Sequence, residues 1–146
     1  MTHASTDEAY GFEIFPLTAD KGIRAWGRDL AELFVSAARG LWSLMVEPGT
    51  VRRVRMLPVE VEAADRETLL VAWLNELIYL YEAKEFVMAT CSIRSMADTA
   101  LSAEVWGESV DRVRHPMVGH VKAVTYHRLL VRPTAEGWEG QVVVDV

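Results

Sequence analysis

Apolar residues recur at two different spacings along the chain, and the spacing separates predicted helices from predicted strands. After Asp29, apolar side chains recur every three or four residues as far as Met45, which predicts an amphipathic helix ended by the Glu-Pro-Gly sequence at 47–49. Asp65 is a favourable N-cap for a second helix, and residues 69–81 are apolar on nearly every face. A helix of this kind is buried on more than one side, so we expect it at the centre of the fold.

The other segments alternate apolar and polar residues or are rich in β-branched residues, which is typical of strands. The predicted strands are residues 10–15, 22–27, 51–63, 86–94, 97–106, 121–131 and 138–146, with a polar loop at 107–119. Pro58 indicates an edge strand, a bulge or a break. The order ββαβαββββ predicts an α+β fold, a single compact domain with two amphipathic helices packed on a mainly antiparallel β-sheet. We expect this domain at residues 10–146 and a flexible tail at residues 1–9.

Length and composition limit the class of protein. The chain has 146 residues, the usual size of one domain. Its apolar runs are shorter than the roughly 20 residues that a membrane helix needs, and its first residues have neither the basic start nor the apolar core of a signal peptide. A single cysteine, Cys91, suits a reducing compartment. We therefore expect a cytoplasmic protein that does not contact a membrane.

The charge balance bears on nucleic-acid binding. The formal net charge is −6, whereas proteins that bind nucleic acid directly usually carry a basic face. Two short basic clusters, at residues 52–55 and 112–115, are interpreted as solvated faces. We therefore expect any contact with RNA to be indirect, through a partner.

Two aspartates and the chain terminus are candidate metal ligands. Asp20 lies in the loop between the first two predicted strands, and Asp145 interrupts a run of valines, where aspartate is disfavoured. The α-carboxylate of Val146 follows one residue later. If these segments lie side by side, three carboxylates converge, and calcium or magnesium prefers such an oxygen shell. The alternative is that Asp145 points to solvent from a frayed terminal strand.

The other reactive side chains suggest no familiar catalytic site. His115 and His120 lie in the predicted polar loop, whereas His127 alternates with Thr125 and is interpreted as a core or sheet histidine. The sequence contains no zinc-type histidine pair, nucleophile elbow, phosphate-binding loop or dinucleotide motif. Cys91 lies in a strand pattern, so we expect a buried and inert thiol. The tryptophans are expected mainly in the core.

Four segments resemble motifs of the archease family. They are FPLTADKGIRAWG at residues 15–27, WLNELIY at 73–79, VKAVTYH at 121–127 and VDV at 144–146. The segments occur in the family's order and span nearly the whole chain, so together they are far more specific than any one of them. One departure is Leu17, where the family commonly has a histidine just before its Thr-Ala-Asp sequence.

The resemblance implies an accessory protein rather than an enzyme. Archeases assist the RtcB-type RNA ligase in tRNA splicing and RNA repair, where they promote guanylylation of the ligase by GTP and support multiple turnover. The family also implies a divalent-cation site, seen with calcium (magnesium and manganese are alternatives), which carries over to Asp20, Asp145 and Val146. The residues expected to contact the partner or its nucleotide are Lys122, Arg114, His115 and His127.

Two other functions are compatible with these residues. One is a chaperone-like modulator of tRNA-modifying enzymes such as methyltransferases, a role also proposed for archeases. The other is a metal-dependent hydrolase that uses Asp20 and Asp145. A hydrolase needs a positioned water and a base, and His127 is the candidate base that the sequence offers.

Overall fold

The elements follow one another in the predicted order. The computed structural model describes residues 9–146, so residues 1–8 of the predicted flexible tail lie outside the described residues. The elements are β1 (Gly11–Pro16), β2 (Lys21–Gly27), α1 (Leu30–Ser43), β3 (Arg55–Glu62), α2 (Arg66–Lys84), β4 (Phe86–Met96), β5 (Ala100–Ser109), β6 (Ala123–Pro133) and β7 (Trp138–Asp145). The order ββαβαββββ and the α+β class are therefore confirmed.

Helix α1 begins where the sequence predicts but ends earlier. The Asp29 side chain accepts a hydrogen bond from the Glu32 N–H at 2.8 Å, which is the usual N-cap arrangement. The helix ends at Ser43, before the predicted terminator at 47–49, because the next N–H bonds back to a carbonyl three residues earlier and tightens the last turn. Met45 lies beyond the helix, yet it is only 1% exposed and still belongs to the core.

Helix α2 is the central helix, as predicted. A capping box formed by Asp65 and Thr68 closes its start, and Glu85, in the left-handed conformation with φ of 51°, ends it. The helix packs against β6 of one sheet and against β3 and β4 of another. The Trp73 side chain is 0% exposed, and its indole N–H donates to the Phe34 carbonyl of α1 at 3.0 Å. Neither α2 nor any other helix within residues 9–146 is long and apolar enough to cross a membrane.

The strands form two antiparallel sheets. The four-stranded sheet has the order β1-β2-β7-β6, and the three-stranded sheet has the order β3-β5-β4. A helix that is apolar on nearly every face needs apolar cover on more than one side, and the second sheet completes this cover for α2. Pro58 lies in β3, an edge strand of its sheet, where a missing backbone N–H is tolerated.

Strand β5 begins and ends three residues later than predicted, which shortens the polar loop. It continues through Glu108 to Ser109, whereas the alternation of apolar residues predicts an end at Trp106. Gly107 permits the close approach of β4, since an added Cβ would lie 1.9 Å from the Val87 carbonyl oxygen. The polar side chains after Gly107 hide this extension from a hydrophobic pattern.

Candidate cation site at the end of the four-stranded sheet

The pairing of β2 with β7 brings the two candidate aspartates to one place. In this register Lys21 is opposite Val144. One residue further along each segment, the next facing positions are Asp20 and Asp145. The turn that carries Asp20 is closed by a hydrogen bond, at 3.2 Å, that the Leu17 N–H donates to the Asp20 carbonyl. Two aspartates that are distant in sequence thus lie at the same end of the four-stranded sheet.

Strand β6 supports Asp145 from the other side. Ala123 is opposite Asp145, and the Lys122 N–H donates to the Asp145 carbonyl at 2.8 Å. Because β7 lies between β2 and β6, the segment that carries Asp145 is paired on both sides. A frayed terminal strand therefore does not describe this segment.

Alternation along β7 determines the face on which Asp145 lies. Val142 and Val144 belong to the hydrophobic core, so the side chains of Val143 and Asp145 point to the opposite face of the sheet. Asp20 and Asp145 are both half-buried. Partial removal from water strengthens the repulsion between gathered carboxylates, which favours a bound cation.

The donor atoms at this end are oxygens. Val146, 38% exposed, follows Asp145 directly. Within residues 9–146, no group of three or more His, Cys, Asp or Glu side chains is arranged to hold a metal. The predicted ligand set has only two such side chains, Asp20 and Asp145, and its third member is the terminal carboxylate of Val146. Oxygen donors suit calcium, magnesium or manganese better than zinc, and this ligand set stays a prediction.

Lys122 lies beside the two aspartates without neutralising them. Its side chain is exposed, and in the part of the chain that the structure describes no ion pair involves Asp20 or Asp145. Leu17, at the position where the family commonly has a histidine, is half-buried in the same turn and adds no polar side chain there. The two carboxylates are therefore available to an external cation.

His127 lies on an irregular segment of β6, so of the two interpretations, core or sheet histidine, the structure confirms the sheet position and contradicts the core position. The pairing of β6 with β7 shifts register between Thr125 and Leu130, and Arg128 has φ of 54°, which is uncommon for a residue other than glycine. The His127 N–H donates to the Thr125 hydroxyl at 3.3 Å, while His127 itself is exposed. His127 is thus a sheet residue accessible to a partner, and its contact role stays a prediction.

His115 is the opposite case, because its ring is fully buried within the predicted polar loop. The Asp111 N–H donates to Nδ1 at 2.9 Å, so the ring hydrogen lies on Nε2, which donates to Glu108 Oε2 at 2.8 Å. Arg114 donates to the other Glu108 oxygen at 2.5 Å. The Arg52 N–H donates to Oε2 at 2.8 Å. The buried carboxylate therefore has three hydrogen-bond donors.

These donors hold the pKa of Glu108 well below its ordinary value. The hydrogen bond from Arg114 is the largest cause, burial opposes it, and the pKa falls from 4.5 to about 2. The His115 side chain is 0% exposed and the Arg114 side chain 34% exposed. The predicted contact of His115 with a partner does not fit this buried ring, because its Nε2–H is already used inside the molecule. The Arg114-His115 pair shortly after Glu108 in the sequence was the local signal that these side chains interact. The hydrophobic pattern, however, gives no reason to expect a buried Glu108.

Cys91 and most of the tryptophans behave as predicted. Cys91 is buried, and burial raises the pKa of its thiol to about 12, so the thiolate is disfavoured. The tryptophans divide into buried Trp26, Trp42 and Trp73 and half-buried Trp106 and Trp138, which lie under guanidinium groups. The predicted core position is confirmed for the first three.

The fold and the candidate site define a class of protein. It is a small α+β domain in which two antiparallel sheets enclose a central helix, with two aspartates gathered at the end of one sheet. The chemistry that this arrangement offers is the binding of a hard cation by oxygen atoms.

Known proteins resemble this chain along nearly its whole length. Residues 12–146 match the model of the Archease protein family. Protein archease from Methanosarcina acetivorans is 34% identical over 139 residues, which are 92% of this chain and 95% of the relative. Protein archease from Sulfurisphaera tokodaii is 32% identical over 136 residues, 92% of this chain and 98% of the relative. The solution structure of Methanobacterium thermoautotrophicum protein 1598 has a TM-score of 0.78 and 29% identity, and the match covers 93% of this chain and 99% of that one. The chain belongs to the archease family.

Proposed function

We propose that this chain is an accessory activator of an RtcB-type, GTP-dependent RNA ligase in tRNA splicing and RNA repair, and not an enzyme itself. It promotes guanylylation of the ligase and supports multiple turnover through a divalent-cation site. Membership of the archease family supports the class of function, and the facing positions of Asp20 and Asp145 support the site. RNA is contacted only through the ligase, which agrees with the formal net charge of −6.

The cation is held by Asp20, Asp145 and the Val146 carboxylate, with calcium, magnesium or manganese as the metal. When bound, it supplies positive charge that can orient a phosphate or polarise an oxygen atom. The chain contributes the position of its ligands. Because the end of β7 is paired with β2 and β6, the Asp145 backbone is already ordered before a partner arrives.

An activator without nucleotidyl chemistry acts by binding one state of its partner more tightly than another, since equal binding shifts no equilibrium. We expect the end of the sheet that carries Asp20 and Asp145 to contact the ligase near its GTP-binding site. There it favours the state that is competent for guanylylation. Lys122, just before β6, and His127, on β6, are both exposed. They supply contacts to the ligase or its nucleotide.

The test is a single-turnover measurement of ligase guanylylation by GTP, with and without this protein. Wild type should raise the rate at substoichiometric amounts, whereas Asp20→Ala and Asp145→Ala should abolish the increase while remaining folded. Asp98→Ala is the matched control, because Asp98 is an exposed aspartate in the turn between β4 and β5. If both folded site variants activate as well as wild type, the site is structural and the mechanism is wrong.

The same design distinguishes the alternative functions. A tRNA methyltransferase replaces the ligase in one arm, and activation of the methyltransferase without activation of the ligase supports a chaperone-like modulator instead. In another arm the isolated protein is given phosphate-ester substrates. Phosphate release that requires Asp20 and Asp145 supports a metal-dependent hydrolase.

A further inference from the structure

A group of exposed arginines, which we call the arginine face, borders the three-stranded sheet. It consists of Arg52 and Arg53 just before β3, Arg55 at its first position, and Arg112 in the loop after β5. Within residues 9–146, none of these guanidinium groups forms a salt bridge with a carboxylate. In a chain with a formal net charge of −6, this face is a local positive surface that the protein does not neutralise.

Glu108 joins the two segments of the arginine face. One of its oxygens accepts the Arg52 N–H at 2.8 Å, and the other accepts the Arg114 guanidinium at 2.5 Å. The segment before β3 and the loop at 112–114 are therefore held next to the same buried carboxylate. A partner that binds here meets a surface whose backbone is already ordered, which lowers the entropic cost of association.

Aromatic rings hold two of the guanidinium groups. The guanidinium carbon of Arg53 lies 5.1 Å from the ring centre of Trp106, and that of Arg55 lies 5.5 Å from the ring centre of Phe86. A guanidinium group stacked on a ring keeps its N–H edge free for bidentate bonds to an anion. Trp106 is opposite Met56, and the Phe86 ring lies over Gly107, which is opposite Arg55. The two arginines are therefore positioned on the two sides of the edge strand β3, and neither is paired with a carboxylate.

Exposed apolar side chains lie among the arginines and favour a protein partner over RNA. Val54 and Met56 in the β3 segment are 64% and 36% exposed, and Val113 in the loop is 96% exposed. Apolar side chains gain little against a phosphate backbone, whereas a protein partner can bury them. Arginine, methionine and aromatic residues together are typical of the centres of protein–protein interfaces.

We propose that the arginine face docks on an acidic patch of a protein partner, and, resting on the proposed function, that this partner is the RNA ligase. The partner covers the exposed edge of the sheet at the start of β3. Its carboxylates pair with Arg53 on one side of this edge and with Arg55 on the other, and its apolar side chains cover Met56 on the side of Arg53.

Charge reversal tests this docking surface. Arg53→Glu/Arg55→Glu changes two exposed side chains, so thermal unfolding should show a folded protein. Arg39→Glu/Lys84→Glu is the matched control, since it makes the same change of charge at exposed cations of α1 and α2 that form no ion pair within residues 9–146. Biolayer interferometry with the purified ligase at about 0.05 M salt should show a Kd weakened by at least about 30-fold for the first variant and by less than about 3-fold for the control.

Two further measurements examine the charge mechanism. The Kd of wild type should weaken about 10-fold when the salt is raised to about 0.3 M, and that of the reversal variant should change much less. Arg53→Gln/Arg55→Gln removes the attraction without adding repulsion, so its Kd should lie between those of wild type and the reversal variant. Calcium affinity by calorimetry should be the same in all variants, because none of the substitutions touches Asp20 or Asp145.

The outcomes separate this inference from the proposed function. Equal ligase affinity for wild type and the folded reversal variant overturns the docking surface, as does a wild-type protein that does not bind the ligase. If wild type binds through the arginine face but does not raise guanylylation, the docking surface stands and the proposed function fails. RNA is the alternative ligand for the arginine face, and fluorescence anisotropy with a single-stranded RNA of about 12 nucleotides tests whether it binds there. RNA binding that the reversal abolishes, with unchanged ligase affinity, makes the face an RNA site and overturns the proposal.

Discussion

This molecule has two groups of carboxylates, Glu108 alone and the pair of Asp20 and Asp145, that differ in which groups of the protein neutralise their charge. Glu108 has a side chain that is 8% exposed and accepts hydrogen bonds from Arg114, His115 and the Arg52 backbone. Asp20 and Asp145 are half-buried at facing positions, and within residues 9–146 no cationic side chain forms an ion pair with either. The first group is complete within the protein, whereas the second is not.

The difference teaches where to expect structure and where to expect binding. A buried carboxylate without donors is strongly unfavourable, so the loop that supplies Arg114 and His115 is part of the architecture that permits Glu108 to be buried. Gathered carboxylates without donors do not stabilise the fold. Their arrangement fits the external cation that we propose.

The largest expected effect is on stability, at Glu108. Glu108→Ala leaves the buried His115 and the Arg114 guanidinium without their acceptor, which should lower the free energy of unfolding by about 3–5 kcal/mol. Glu104→Ala is the matched control, because Glu104 lies on the same strand but pairs with the exposed Arg94, a contact worth less than about 1 kcal/mol. Urea denaturation measures both. Equal losses for the two variants would mean that the Glu108 network is no more structural than a surface ion pair.

Acid should weaken the fold through the same carboxylate. The pKa of Glu108 is lowered from 4.5 to about 2 in the folded protein, first by Arg114 and further by Arg52 and His115. Its contribution to stability is therefore present above pH 4.5 and is lost as the pH falls from 4.5 toward about 2. The amount is at most about 3 kcal/mol. Free energies of unfolding measured across this range should fall less steeply for Glu108→Gln than for Glu104→Gln, and parallel curves would contradict the prediction.

Calcium should stabilise the protein through the other group. At a calcium concentration about 100 times the Kd, the free energy of unfolding should rise by about 2.7 kcal/mol. Asp20→Asn and Asp145→Asn should lose most of this gain. One residue added after Val146 should also weaken binding, because it moves the terminal charge away from the site. Calorimetry that shows equal affinity for native, Asp20→Asn and extended protein would exclude the proposed ligand set.

The smallest expected effect separates the two groups most sharply. Without divalent cations, Asp20→Asn should change the free energy of unfolding by less than about 0.5 kcal/mol, and toward higher stability, because it removes repulsion with Asp145. Chemical denaturation in the presence of a chelator measures this. A loss above about 2 kcal/mol would show that Asp20, like Glu108, has structural partners within the protein.

The helices were predictable because the information that forms them is local. Asp29 and Asp65 cap helices whose first free N–H groups lie within a few residues. The period of apolar side chains likewise follows from one turn to the next. The apolar residues on both sides of Trp73 in the sequence predicted a central helix, because a helix that is apolar on nearly every face needs apolar cover on more than one side.

The sequence by itself determined the order of the elements, the helix starts and the membership of the archease family. Only the tertiary structure decided that Asp20 faces Asp145, that His127 lies exposed on an irregular strand and that His115 is buried against Glu108. The physical reason is the range of the interactions. Strand register and the burial of a charge depend on residues far apart in the chain, so a carboxylate in a polar segment has the same local pattern whether water or Arg114 surrounds it.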